Sequence, residues 1–164
     1  MPTHVTQQVR NYFTNTLRAA GFESVPDFRR RSFPVKVFES RAYALEIDDL
    51  PALAIFSRDE ELTTREDRAC SPMPQTRDIL TSVVCVVASQ QRGDDLIDNR
   101  LDDLALKVEN EIFKDKTLGG IAHNTRLIKK VRTIDPDTDR PVGLLDCLFS
   151  SRVITLEGTA ESTI

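Results

Sequence analysis

The chain has 164 residues, the usual size of one domain, and its net charge of −4 argues against a protein that grips nucleic-acid phosphates over a broad face. Its three cysteines lack CxxC spacing, which favours a reducing compartment without disulfides, and no apolar run approaches the length of a membrane span. We therefore expect residues 1–164 to form a single soluble, cytosolic domain with no signal segment and no membrane contact.

The N-terminal segment has the spacing of an amphipathic helix. Phe13 and Leu17 belong to its apolar stripe, Thr3 or Thr6 can cap its start, and Gly21 can end it. This pattern predicts a helix that ends near residue 20 and packs one side against the rest of the domain.

A series of strands is predicted next. Alternating apolar residues at 35–37 and 43–47, a turn at 48–51 and further apolar residues at 53–56 indicate two short strands and a turn. Segment 57–76 is polar, with Leu62 and Met73 as its only large apolar residues, and it predicts a long loop at the tip of a hairpin. The β-branched run at 79–88 predicts a central strand that is covered on both faces.

Stretch 93–131 is the part around which the rest of the chain is organised: a long helix, a break at Leu118, Gly119 and Gly120, and a basic strand. The helix has about twenty residues and would span about 30 Å, with Asp94 or Asp95 as its cap. Its apolar residues keep to one stripe: Ile97, Leu101, Leu104, Ala105, Val108 and Ile112.

The end of the chain predicts two more strands, at 126–134 and 142–156, followed by a polar, frayed tail at 157–164. The expected fold class is therefore α+β. We predict a mainly antiparallel sheet packed against a long helix in the C-terminal half and against the N-terminal helix.

No motif predicts catalysis. His4 and His123 are far from any cysteine or acid at ligand spacing, and no GxSxG, Walker A or GxGxxG sequence occurs. The acids of segment 57–76 could hold Mg²⁺ in principle, but a flexible loop lacks the rigid support that a catalytic site requires. We expect no catalytic residue, no cofactor and no metal, which favours a binding or structural role.

Several segments resemble the phage tail terminator family, which includes minor tail protein U and its relatives. The first half matches in VFESR (37–41), LPALAIF (50–56), an acidic loop and a β-branched strand. The second half matches in the helix at 100–113, in LGGIA (118–122) and in a closing strand that ends in Leu148 and Phe149. The resemblance covers residues 5–156 and is carried by the order of these elements.

The resemblance implies a virion structural protein rather than an enzyme. Members of the family form a ring, usually a hexamer, that docks on the head-proximal end of the tail tube and stops its polymerisation. The implied partners are further copies of the chain, the tail tube protein and a neck or head-completion protein. The implied location is the virion tail after assembly in the host bacterial cytoplasm. Genomic DNA would pass through the bore without specific binding, which suits an acidic protein.

On this hypothesis, charged residues of the long loop and of the basic strand are the candidate contacts with a neighbouring subunit or with the tube. They are Arg58, Asp59, Glu60, Glu61, Arg65, Arg68, Lys129, Lys130 and Arg132. Two alternatives stay open. One is a neck or head-completion adaptor of the same ring type, and the other is a small divalent-ion-dependent enzyme or ligand-binding domain that uses the acidic loop.

Overall fold

The structure, a computed structural model, describes residues 4–23, 34–39, 49–64, 73–89, 97–135 and 141–156 and the backbone of 159–163. In this part of the chain two helices accompany a mostly antiparallel sheet, so the predicted α+β class is confirmed. The elements in chain order are α1 (Val5–Ala19), β1 (Lys36–Phe38), β2 (Ala52–Thr64), β3 (Pro74–Ala88), α2 (Ile97–Ile112), β4 (Asn124–Asp135), β5 (Val142–Leu156) and β6 (Thr159–Thr163).

The sheet has the strand order β1-β2-β3-β5-β4, and β6 pairs with the end of β5. All of these pairs are antiparallel except the short parallel pair of β1 with β2. The predicted central strand is confirmed, because β3 pairs with β2 on one side and with β5 on the other.

Both helices pack on the same face of the sheet, which we call the helix face. Val83 and Cys85 of β3 point to this face and join the side chains of α1 and α2 in one buried core. Val84 and Val86 alternate with them and point to the opposite, second face. No described helix packs on the second face. The expectation that the N-terminal helix covers this face is therefore wrong, and the alternative, cover by a neighbouring subunit, stays a prediction.

Helix α1 begins and ends at small local signals. His4 is its N-cap, because the imidazole of His4 accepts a hydrogen bond from the backbone N–H of Thr6 at 3.3 Å. This corrects the predicted cap: Thr6 lies inside the helix, and Thr3 lies outside the described residues. The predicted stop is confirmed, since Gly21 has a φ of +58°, a conformation that glycine adopts without strain.

The apolar stripe of α2 is buried as predicted, but the predicted length is not reproduced. The described helix has 16 residues, one more than the 15 of α1, and the predicted caps Asp94 and Asp95 lie outside the described residues. It lies close to the sheet at Gly143 of β5, where an added Cβ would be 2.8 Å from the Cδ1 atom of Leu101.

Two further predictions are wrong where the structure tests them. Most of segment 57–76 was expected to be a loop, yet β2 continues through Thr64 and β3 already begins at Pro74. Residues 65–72, between them, lie outside the described residues. The polar tail was expected to fray, yet residues 159–163 form β6 against the end of β5. In both places backbone pairing with a neighbouring strand supplies the order that apolar side chains do not.

The remaining predictions are either confirmed or lie outside the described residues. Strand β4 includes the predicted 126–134, and β5 has the predicted bounds, whereas the predicted strand at 43–47 lies outside the described residues. Cys85 and Cys147 are buried and unbonded, as expected, and Cys70 is not described. Neither described helix is long and apolar enough to cross a lipid bilayer.

The two leucines of α2 that differ in exposure test whether the stripe is core. Leu104 is 3% exposed and Leu106 is 56% exposed. We expect Leu104→Asp to unfold the domain, because an unpaired buried charge costs several kcal/mol against a typical total of roughly 5–15 kcal/mol. Leu106→Asp should change the free energy of unfolding by no more than about 0.5 kcal/mol. Circular dichroism and urea titration of the two variants measure this, and equal effects would contradict the assignment of the core.

Candidate interaction surfaces

The acidic stretch of β2 separates into internal and exposed residues because it is a strand. Glu60 is opposite Ile79 and Glu61 is opposite Asp78, so these neighbouring carboxylates point to opposite faces of the sheet. Glu60 and Glu61 therefore do not converge on one divalent ion, which argues against the alternative in which the acids of this stretch bind a metal together. Among the described residues, no group of three or more His, Cys, Asp or Glu side chains is placed to bind a metal.

Glu60 points to the helix face and joins α1 to the sheet. It accepts a hydrogen bond from the Thr6 hydroxyl at 2.8 Å and forms an ion pair with Arg77. Arg77 is 8% exposed, and its Nε donates to the Thr155 hydroxyl at 2.8 Å. Burial raises the pKa of Glu60, but the hydrogen bonds from Thr6 and Arg77 lower it by more, so this pKa lies below its usual value.

Arg58 is engaged on the second face. Its Nε donates to the Ser82 hydroxyl at 2.7 Å, and its guanidinium forms an ion pair with Asp146 of β5. The guanidinium carbon also lies 6.0 Å from the centre of the Phe56 ring. Arg58 thus connects β2, β3 and β5. Arg58 and Glu60, both predicted as contacts with a partner, make contacts within the chain.

The neighbouring residues of β2 face solvent. Asp59 and Glu61 are exposed, and Leu62 beside them is 57% exposed, the highest value among the large apolar side chains described as exposed. Arg65 and Arg68, the other two candidates of this region, lie outside the described residues. The part of the predicted surface that remains available on β2 is therefore Asp59, Glu61 and Leu62.

The basic strand β4 shows the same separation. Lys130 is opposite Cys147 and Arg132 is opposite Leu145, so both point to the helix face. There they reach acids along one side of α2. Lys130 pairs with Glu109, and Arg132 pairs with Asp98 at 2.7 Å and with Asp102. The hydrogen bond to Glu109 raises the pKa of Lys130. Two of the three basic candidates on β4 are therefore used within the domain.

Lys129 and its neighbours form the exposed edge of the sheet. Lys129 lies next to a bulge between Leu127 and Lys129, where the register of β4 on β5 shifts. Ile128, Val131 and Ile134 are exposed by 49%, 44% and 39%. The sequence-based prediction included the charges of this strand but not its apolar side chains. The available signal was that these apolar residues lie among Lys and Arg in a strand predicted to be exposed.

A turn after α2 is organised by Asp115. Its carboxylate accepts hydrogen bonds from the backbone N–H groups of Thr117 and Gly119, at 2.9 and 2.6 Å, and from the Tyr12 hydroxyl at 3.3 Å. The turn contains three successive positive φ angles, at Leu118, Gly119 and Gly120, so the predicted positive φ of the two glycines is confirmed. Their predicted role as the stop of the helix is wrong, because α2 already ends at Ile112. Hydrogen bonds from the side chain of Thr117 and from the backbone of Gly119 and Thr117 lower the pKa of Asp115 to about 2.

A shallow cleft on the second face is lined by Asp78, Asn124, Arg126, Ser150 and Arg152. Two of its charges neutralise each other, because Arg152 donates two hydrogen bonds of 2.9 Å to the carboxylate of Asp78. The hydrogen bond from Arg152 lowers the pKa of Asp78. The charged groups of the cleft are therefore a cross-strand ion pair and Arg126 beside it. This arrangement gives little support for a ligand site, because two of the three charges are already neutralised.

Comparison of the sequence with known protein families found no match, and comparison with curated proteins found no significant relative.

The internal role of Glu60 can be tested against its exposed neighbour. Glu60→Ala leaves Arg77 buried without its carboxylate and should lower the free energy of unfolding by roughly 2–4 kcal/mol. Asp59→Ala removes one negative charge from the same strand and should change it by at most about 0.5 kcal/mol. Chemical denaturation of both variants provides the measurement, and losses of similar size would mean that Glu60 is a surface residue.

The turn at Asp115 should make stability depend on pH in a specific range. The pKa of Asp115 is about 2 in the folded chain against a reference value of 3.8, so its carboxylate stabilises the fold above pH 3.8. That contribution is lost as the pH falls from 3.8 towards 2. We expect Asp115→Asn to lower the melting temperature at pH 5, with a difference from wild type that shrinks towards pH 2. Asp59→Asn controls for the loss of one negative charge, and a pH-independent difference would contradict this role.

Proposed function

We propose that this protein is a phage tail terminator, a ring that caps the head-proximal end of a tail tube, stops its polymerisation and provides the joint to the neck. The observation that carries the proposal is the order of the segments that resemble this family. Their described residues lie in β1, at the start of β2, in the centre of β3, in α2, in the turn at Gly119 and Gly120, and in β5, whereas the acidic segment between the first two strands of the resemblance is largely strand where it is described.

The layout of the domain supports a place in a ring. Identical subunits close a ring through a heterologous interface, in which one surface of each copy meets a different surface of the next. The described sheet has unlike surfaces: a helix face and a second face, and two edges formed by different strands. A subunit of this kind supplies two different sides for its neighbours and two different ends for the tube and the neck.

The charge of the chain is compatible with DNA passing through the bore. A net charge of −4 disfavours tight contacts with phosphates, whereas a basic lumen would release counterions and hold the DNA. The described basic side chains Lys130, Arg132 and Arg152 are moreover paired with carboxylates of the same chain.

Tube assembly in the presence of the purified protein tests the proposal. When tail tube protein from the same virus polymerises in the presence of the purified protein, the tubes should be shorter than without it and should carry a ring at one end. The reason is that a bound terminator blocks the addition of further tube subunits. Electron microscopy measures tube length and end structure. Unchanged tube lengths would overturn the proposal, and rings that bind neck or head-completion protein but not tubes would favour the adaptor function instead.

A further inference from the structure

The two long edges of the sheet lack a strand neighbour within the described chain. On its outer side β2 pairs with β1 only at Ala52–Ala54, so its remainder up to Thr64 has no described strand beside it. At the other edge β4 pairs with β5 alone, and β6 pairs with residues of β5 beyond the start of β4. Such edges have free backbone donors and acceptors that can pair with another chain.

The exposed charges of these edges have opposite signs. Asp59 and Glu61 stand on the β2 edge, and Arg126 and Lys129 stand on the β4 edge. Among described residues, neither Asp59 nor Glu61 nor Lys129 enters an ion pair with another described side chain. Since Lys130 and Arg132 are neutralised by acids of α2, Arg126 and Lys129 are the cations that β4 offers to a neighbour, while the exposed Asp135 lies at the far end of the strand.

The register places Asp59 and Arg126 at similar heights across the sheet, whereas Lys129 is at the height of Phe56 and Glu61 is at the height of Asn124. Arg126 is opposite Ser150, and Ser150 is opposite Leu80. Leu80 lies at the bulge of β2, where the register shifts between Ser57 and Glu60. Asp59 lies within this bulge, so Asp59 and Arg126 are found at about the same level on opposite edges of one subunit.

The strand directions also match. β2 is antiparallel to β3, β3 to β5, and β5 to β4, so three reversals leave β2 antiparallel to β4. A second copy related by rotation about an axis roughly along the strands would therefore bring its β2 beside β4 in antiparallel orientation. This orientation continues the hydrogen-bonding pattern of the sheet from one subunit into the next.

We propose that copies of this chain join head to tail through these edges, with β4 of one copy pairing with the outer edge of β2 of the next. Arg126 then lies beside Asp59 of the neighbour, with Glu61 two residues further along β2. The contact is limited to the part of β4 before Val131, because β1 of the neighbour occupies the β2 edge at the height of Val131. The inference rests on the proposed ring and specifies how that ring closes.

The charges favour this pairing over the other edge contacts. If two copies met through their β4 edges, the cations Arg126 and Lys129 of one copy would face those of the other. If they met through their β2 edges, acids would face acids. Both arrangements cost free energy because like charges repel. Only the contact of β4 with β2 joins opposite charges. Because it is heterologous, it leads to a closed ring when the rotation between copies closes and to an open filament when it does not.

Charge reversal of each edge tests this pairing. The variant Arg126→Glu with Lys129→Glu has two acidic edges, and the variant Asp59→Lys with Glu61→Lys has two basic edges. Each should raise the dissociation constant of assembly by at least about tenfold, because every junction then joins like charges. An equal mixture should assemble again into alternating rings, since each acidic edge meets a basic one. Analytical ultracentrifugation over a concentration series measures assembly, and circular dichroism checks the fold of each variant.

The control is Lys114→Glu, which reverses an exposed charge that is paired with Glu111, lies just after α2 and is on neither edge of the sheet, and it should assemble like wild type. If wild type forms rings and the reversed variants do so equally well, or if the folded variants fail to assemble when mixed, the edge pairing is wrong while the terminator function stands. If wild type stays monomeric both alone and on tube ends, the proposed ring and its edge pairing both fail.

Discussion

The burial of one face of the sheet beneath two helices is the constraint on which the rest of the structure depends. Val83 and Cys85 of β3, and Cys147 and Phe149 of β5, are buried under α1 and α2. Since successive residues of a strand point to opposite faces, this burial fixes the orientation of every other side chain along β2, β3, β5 and β4. A slip of one residue in register would move this core to the face that no described helix covers.

The same alternation decides what the charged residues do. Glu60 points inward and binds Arg77 and Thr6, while Glu61, one residue later, points outward. Lys130 points to α2 and pairs with Glu109, while Lys129 stays exposed. Charges that look equivalent in the sequence therefore divide into those that hold the domain together and those that are available to a partner. The division follows from strand geometry and from no property of the residues themselves.

The parts of the fold that could be predicted are those with a strong apolar period. The stripe of α2, the run of β3 and the alternation of β5 all lie where the sequence placed them. The outer half of β2 could not be found this way, because Arg58–Glu61 has no apolar residue and owes its order to pairing with β3 and to partners such as Ser82 and Arg77. β6 could not be predicted for the same reason, because its residues show no apolar alternation. The cap at His4 could not be predicted because histidine is an unusual N-cap residue.

The candidate surface was predicted as a set of charges, and the structure engages part of that set in ion pairs within the domain. What the sequence could not indicate is that Asp59 and Lys129 lie on opposite edges of one sheet, because that depends on a strand order in which β5 lies between β3 and β4. Opposite charges on opposite edges make the sheet complementary to a copy of itself in one direction only. Pairing of two like edges would be two-fold and would end at a dimer, whereas pairing of the β4 edge with the β2 edge permits the next copy to repeat the contact until the ring closes.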